Sequence, residues 1–170
     1  MLFGERLAGP ADSFVPSSRQ RQRGGIVATV AETKDRVQTY LTRHAPVNLD
    51  SDGDLSVSMG SARVFVRVRE HPSGDATIVS CWALVLGEVP VTPAVYEFIA
   101  TKSNSFIFGH LSLEVDDASN TGIIVLSHRL LGDYLDEDEL MYVVGGLASS
   151  ADEMDDDLKN QFGGRRFHES

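Results

Sequence analysis

The stretch DSDGDLSVSMGSARVFVRVRE, residues 50 to 70, decides how this chain is read. It begins with aspartates at alternate positions beside a glycine, as a calcium-binding loop does. A loop of the EF-hand type needs oxygen ligands at positions 1, 3 and 5, glycine at 6 and a bidentate glutamate at 12. Counted from Asp50, position 6 is Leu55 and position 12 is Ser61, while the glycine stands at Gly53. The closing ligand is missing, and the residues that follow alternate as a strand does. The stretch reads as a tight Asp-Gly turn entering a strand of Leu55, Val57 and Met59. No metal is assigned to it.

Working outward, ARVFVRVRE sets Ala62, Val64, Val66 and Val68 on one face and Arg63, Phe65, Arg67 and Arg69 on the other, a strand buried on one side. HPSGD is a turn. ATIVSCWALVL is apolar on both faces and predicts a central strand covered on both sides. IFGHLSLEVDD and GIIVLSHRLLG predict two further strands, joined through DDASNTG as a hairpin. Before the turn, Val27, Val30, Lys34, Val37 and Leu41 recur at helical spacing, so residues 26 to 44 predict a helix stopped by Pro46.

A second helix starts with Thr92 as cap and Pro93 at its first position, and carries an apolar stripe of Val95, Phe98 and Ile99. The third has Asp136 as N-cap with Glu139 three residues on, a long apolar stripe from Leu140 to Leu158, and an end at Gly163-Gly164. Gly145 and Gly146 inside it each cost up to about 1 kcal/mol against alanine; they permit a close approach or a kink. The order predicts an α+β fold, a five-stranded and mostly antiparallel sheet with three helices. Residues 1–25 read as a basic tail, with Arg6, Arg19, Arg21 and Arg23 against Glu5 and Asp12. Residues 26–164 form a single domain, and residues 165–170 a short C-terminal tail.

The chain has 170 residues, is 42% apolar and carries a net charge of −10, which suits one globular domain. Its acidity argues against non-specific contact with nucleic acid or anionic lipid. Cys81 is the one cysteine and lies in an apolar run, so no intrachain disulfide forms and a reducing, cytoplasmic setting is expected. No segment has the apolar length of a signal peptide or a membrane span. There is no Gly-x-Ser-x-Gly, phosphate loop or dinucleotide fingerprint, and the acid clusters at 136–139 and 152–157 fall where helix starts and solvated faces place acids. No enzyme, cofactor or metal is expected. One metal reading remains open, in which His110 and His128 meet across a hairpin and join Cys81 or Asp116; hydrogen-bonded strand histidines are its alternative.

The turn DSDGDLSVS, the strand GSARVFVRVRE, the later SFIFGHLSLE and IIVLSHRLLGDYLDEDEL, and the acidic last helix resemble the YbjN-like proteins, which share a superfamily with the type III secretion chaperones. The arginine-rich, lysine-poor composition also resembles that of actinobacterial proteins. The resemblance implies a homodimer that binds a client segment of another protein through apolar grooves and strand addition. It points to Phe65, Arg67, Arg69, Phe108, His110, Leu126 and His128 as peptide-binding residues, and to Val95, Phe98 and Ile99 at the dimer interface. That Phe65 and Phe108 are ordinary core residues is the competing reading. A different class stands as alternative, a regulatory domain whose basic N-terminal arm binds nucleic acid or an acidic protein.

Overall fold

The computed structural model describes residues 28–166; the basic tail lies outside them. The elements run α1 (Val30–His44), β1 (Val47–Leu49), β2 (Leu55–Met59), β3 (Ala62–Glu70), β4 (Thr77–Pro90), α2 (Pro93–Lys102), β5 (His110–Asp116), β6 (Thr121–Leu131), a short 3-10 turn (Gly132–Tyr134) and α3 (Glu137–Phe162). The described strands form one antiparallel sheet in the order β1-β2-β3-β4-β6-β5. The sheet has six strands rather than the five expected. The addition is β1, three residues that pair Val47 with Val57 and Leu49 with Leu55. A run that short carries no readable alternation; pairing with a neighbour, not its own pattern, makes it a strand.

The helix starts follow from local chemistry. α1 opens on a capping box, with the Glu32 amide donating to the Thr29 hydroxyl at 3.2 Å and the Thr29 amide donating to the Glu32 carboxylate at 2.8 Å. The helix therefore begins at Val30, later than the 26 expected. Thr92 caps α2 ahead of Pro93, and the Glu139 amide donates to Asp136 at 2.8 Å to open α3. Beyond α3, Arg165 and Gly87 exchange two backbone hydrogen bonds of 2.7 and 2.8 Å, so the start of the C-terminal segment runs back along β4.

All three helices lie on one side of the sheet. α1 and α3 cross the central strands, and α2 sits beside β5 with Phe98 edge-on to Phe162 of α3. The core lies between the layers: Val37 and Leu41 from α1, Leu55, Val64, Val66, Val79, Cys81, Ala83, Ile124 and Leu126 from the sheet, and Leu140, Val144 and Leu147 from α3. Among the described residues no helix covers the other face. β4 accordingly departs from the expectation of a strand covered on both sides. Val79, Cys81 and Ala83 are buried, while Ile78, Ser80, Trp82 and Leu84 are half-buried. Among the described residues no second layer covers its outward Ile78, Trp82 and Leu84, and Trp82 is shielded by stacking on Phe65 of β3.

Candidate functional site

The DSDGD turn prepares the open face. The Asp50 carboxylate accepts from the amides of Asp52 and Asp54 at 3.0 and 2.8 Å, the Asx arrangement that lets an aspartate close its own turn. Lys34 donates to the Gly53 carbonyl at 2.6 Å, and Gly53 has φ +81°, which suits glycine. Asp54 comes out of the turn buried and forms a two-pronged ion pair with Arg67 of β3. Its carboxylate is 5% exposed, against 32% for the arginine side chain. The pair raises the Arg67 pKa, chiefly through the hydrogen bond from its guanidinium to Asp54. Two of the carboxylates that suggested calcium are thus occupied by backbone amides and an arginine.

The pair fixes Arg67 over the ring of Trp82, 5.2 Å from guanidinium carbon to ring centre. Trp82 in turn stacks on Phe65 at 5.5 Å with ring planes 14° apart, and Arg63 lies 5.6 Å over Phe65. Each cation–ring contact is worth about 0.5–1 kcal/mol where water reaches it, and the ring pair about 0.5–1.5 kcal/mol. Strand register extends the strip: Phe65, Trp82, Ser127 and His110 form one row across β3, β4, β6 and β5. The next row holds Arg67, Ser80 and Arg129, and the one after it Arg69, Ile78 and Leu131. A shallow depression of about 580 Å³ takes in Trp82, Arg67, Arg69, Arg129 and His110 of these rows, with Glu114 of β5.

The proposed peptide-binding residues divide between two surfaces. Phe65, Arg67, Arg69 and His110 share the open face. Leu126 does not belong there, being wholly buried under the helices. His128 is also on the helix side, where its Nδ1 accepts from the Gly109 amide at 3.1 Å and its ring meets Phe108 edge-on. β5 starts at His110, and Gly109 (φ +91°) turns the chain just before it. Phe108 and His110 therefore do not share a face as strict alternation would require. His110 and His128 likewise stand on opposite faces and cannot jointly hold a metal. Among the described residues no group of three or more His, Cys, Asp or Glu side chains is placed to do so. Cys81 is buried in the core, and burial pushes its thiol up to about 12.

Phe108 lines a second apolar groove, between the loop before β5 and α3, with Phe106, Ile107, Met141, Tyr142, Gly145 and Met154. Ile107 is 94% exposed and Tyr142 70%. Gly146 admits Phe108: a Cβ there would lie 2.9 Å from the ring. Of the expected dimer residues, Val95 is buried in its own chain's core, while Phe98 and Ile99 are half-buried against it. Tyr96 is the exposed aromatic of α2, at 51%. Trp82 was the residue that sequence reasoning missed. It sat in a run read as fully covered, and only the register with Phe65 reveals its place.

Residues 29–170 match the family TY-Chap1, described as T3SS (YopN, CesT) and YbjN peptide-binding chaperone 1. The chain belongs to this family. Its fold is similar to a crystal structure of the ExsC–ExsE complex, with TM-score 0.52 and 15% identity over 77% of this chain and 96% of that one. A crystal structure of YbjN from E. coli aligns with TM-score 0.49 and 13% identity over 75% of this chain and 91% of that one. No curated protein matches the sequence. The three helices and antiparallel sheet expected from the sequence resemble the fold of the ExsC–ExsE structure, with six strands in place of five. No helix among the described residues is long and apolar enough to cross a membrane.

Proposed function

We propose that this protein is a non-catalytic, chaperone-like module that holds an extended segment of a partner protein against the open face of its sheet. The observation that carries the reading is the Arg67–Trp82–Phe65–Arg63 stack, set on a face that no described helix covers. Aromatic and arginine side chains are what protein-binding surfaces concentrate, because they contribute large contact area at low entropic cost. The family's peptide-binding description and the similar fold of a protein solved in complex with ExsE support it. The reading includes a homodimer, in which α2 meets its counterpart through Tyr96 and the outer sides of Phe98 and Ile99. It sets this work in the cytoplasm, which suits the lone buried thiol of Cys81.

Site-specific photo-crosslinking tests it. A benzophenone side chain at Ser80 or Ser127, both on the open face, is expected to capture one partner protein in the cells that make this protein. The same group at Gln38, on the exposed side of α1, is expected to capture none, and Trp82→Ser is expected to abolish the open-face product. Capture from Gln38 alone would overturn the assignment.

A further inference from the structure

The open face is oddly charged for this protein. Acids outnumber bases by 25 to 15 over the whole chain. Yet the outward positions of β3, of β4 as far as Leu84, and of β6 hold Arg63, Arg67, Arg69 and Arg129, and no aspartate or glutamate. One acid stands among these arginines, Asp54, which pairs with Arg67. The others lie beyond the Trp82–Phe65 row: Glu114 and Asp116 on β5, and Glu88 at the irregular stretch of β4, where it pairs with Arg165. Arg67, Arg69 and Arg129 thus stand on one side of the Trp82–Phe65 row, while Arg63 stands on the other, the side of Glu114 and Asp116.

We infer that the segment bound there is acidic and extended, with an apolar residue on Trp82 and carboxylates two and four positions along it, facing Arg67 with Arg129 and then Arg69. This rests on the open face being the binding surface and specifies its ligand class. The spacing follows from strand geometry. Rows two residues apart in an antiparallel strand are separated by about 6.8 Å, and an extended segment laid along the strands presents alternate side chains at the same interval. The Trp82 row, the Arg67–Arg129 row and the Arg69 row follow one another at that step. Arginine forks suit carboxylates in two-pronged pairs. Asp54, supplied by the protein itself, already makes such a pair with Arg67 and shows the geometry the face offers.

Single-stranded nucleic acid would also place π-faces on Trp82 and charge on the arginines. Glu114 and Asp116 beyond the Trp82–Phe65 row would repel a backbone charged along its whole length, whereas a peptide can carry its acids only on the side of Arg67, Arg69 and Arg129.

Trp82 is the chain's sole tryptophan, so its emission reports directly on the face. The probes are short peptides in which phenylalanine is followed two and four residues on by glutamate, by glutamine or by lysine, together with an oligothymidylate. The glutamate peptide is expected to shift Trp82 emission at about tenfold lower concentration than the glutamine peptide, and the lysine peptide to have no effect. Arg69→Gln with Arg129→Gln, both at exposed positions, is expected to remove that tenfold preference while leaving glutamine-peptide binding in place. Equal response to glutamate and glutamine peptides would overturn the acidic specificity and leave the open face as the binding surface. No response to any peptide would overturn both. Tighter binding of oligothymidylate would replace the peptide with nucleic acid.

Discussion

The Asp54–Arg67 pair offers a sharp test, because its partners differ in how far water reaches them. Arg67→Met leaves Asp54, 5% exposed, without its cation. Breaking a buried pair from this side costs about 3–4 kcal/mol, since the stranded charge keeps its desolvation cost without compensation. Asp54→Asn leaves Arg67 instead, whose side chain is 32% exposed and can turn to solvent. That variant loses charge-assisted hydrogen bonds only, about 1–2 kcal/mol. For a chain of this size each kcal/mol moves Tm by about 2–4 °C. Arg67→Met should therefore melt about 10 °C below the parent and Asp54→Asn about 4 °C below it. Thermal melts and urea titrations read by circular dichroism check both, with unchanged urea slopes confirming that stability alone has changed. Equal costs, or a smaller one for Arg67→Met, would refute the argument that burial of the acid sets the asymmetry.

Other outcomes follow from single contacts. Gly145→Ala should stabilise by about 0.5–1 kcal/mol, because nothing lies within 4 Å of the new methyl and the helix gains propensity. Gly146→Ala, one residue on, should instead cost about 1–3 kcal/mol by forcing the Phe108 ring aside from 2.9 Å; thermal melts of the two variants should move in opposite directions. Burial raises the Cys81 thiol from an ordinary 9.0 to about 12, so the unfolded chain ionises first, and the stability this group contributes is present below pH 9.0 and lost as pH rises toward about 12. Alkaline unfolding of Cys81→Ala should lack that component, and native Cys81 should resist iodoacetamide at pH 8 until the chain unfolds. Tyr96→Asp should convert the proposed dimer to a monomer by light scattering without lowering Tm; an unchanged mass would remove α2 from the interface.

The order of helices and strands was legible because helical and alternating periods are properties of consecutive residues. The stripe of Leu140, Val143, Val144 and Leu147 needed no partner to be read, nor did the caps Thr92 and Asp136 or the Pro46 stop that follows α1. β1 was not legible, since three residues show no period. The two-sided cover expected for β4 failed for a related reason. Apolarity on both faces of a strand does not say whether a second layer or only neighbouring side chains shield it. Phe108 and His110 were assigned one face by counting in twos, and Gly109 interrupts that count.

By itself the sequence determined the three helices, the strands other than β1 and their order, the turn at Asp50–Asp54 and the acidity that makes any basic patch notable. All of these arise from neighbours along the chain. The tertiary structure alone decided which face of the sheet the described helices leave uncovered, that Trp82 stacks on Phe65, and that four arginines share that face while Leu126 and His128 lie behind the sheet. Those facts depend on strand register and on which side the helices pack, and both are fixed by contacts between residues far apart in sequence.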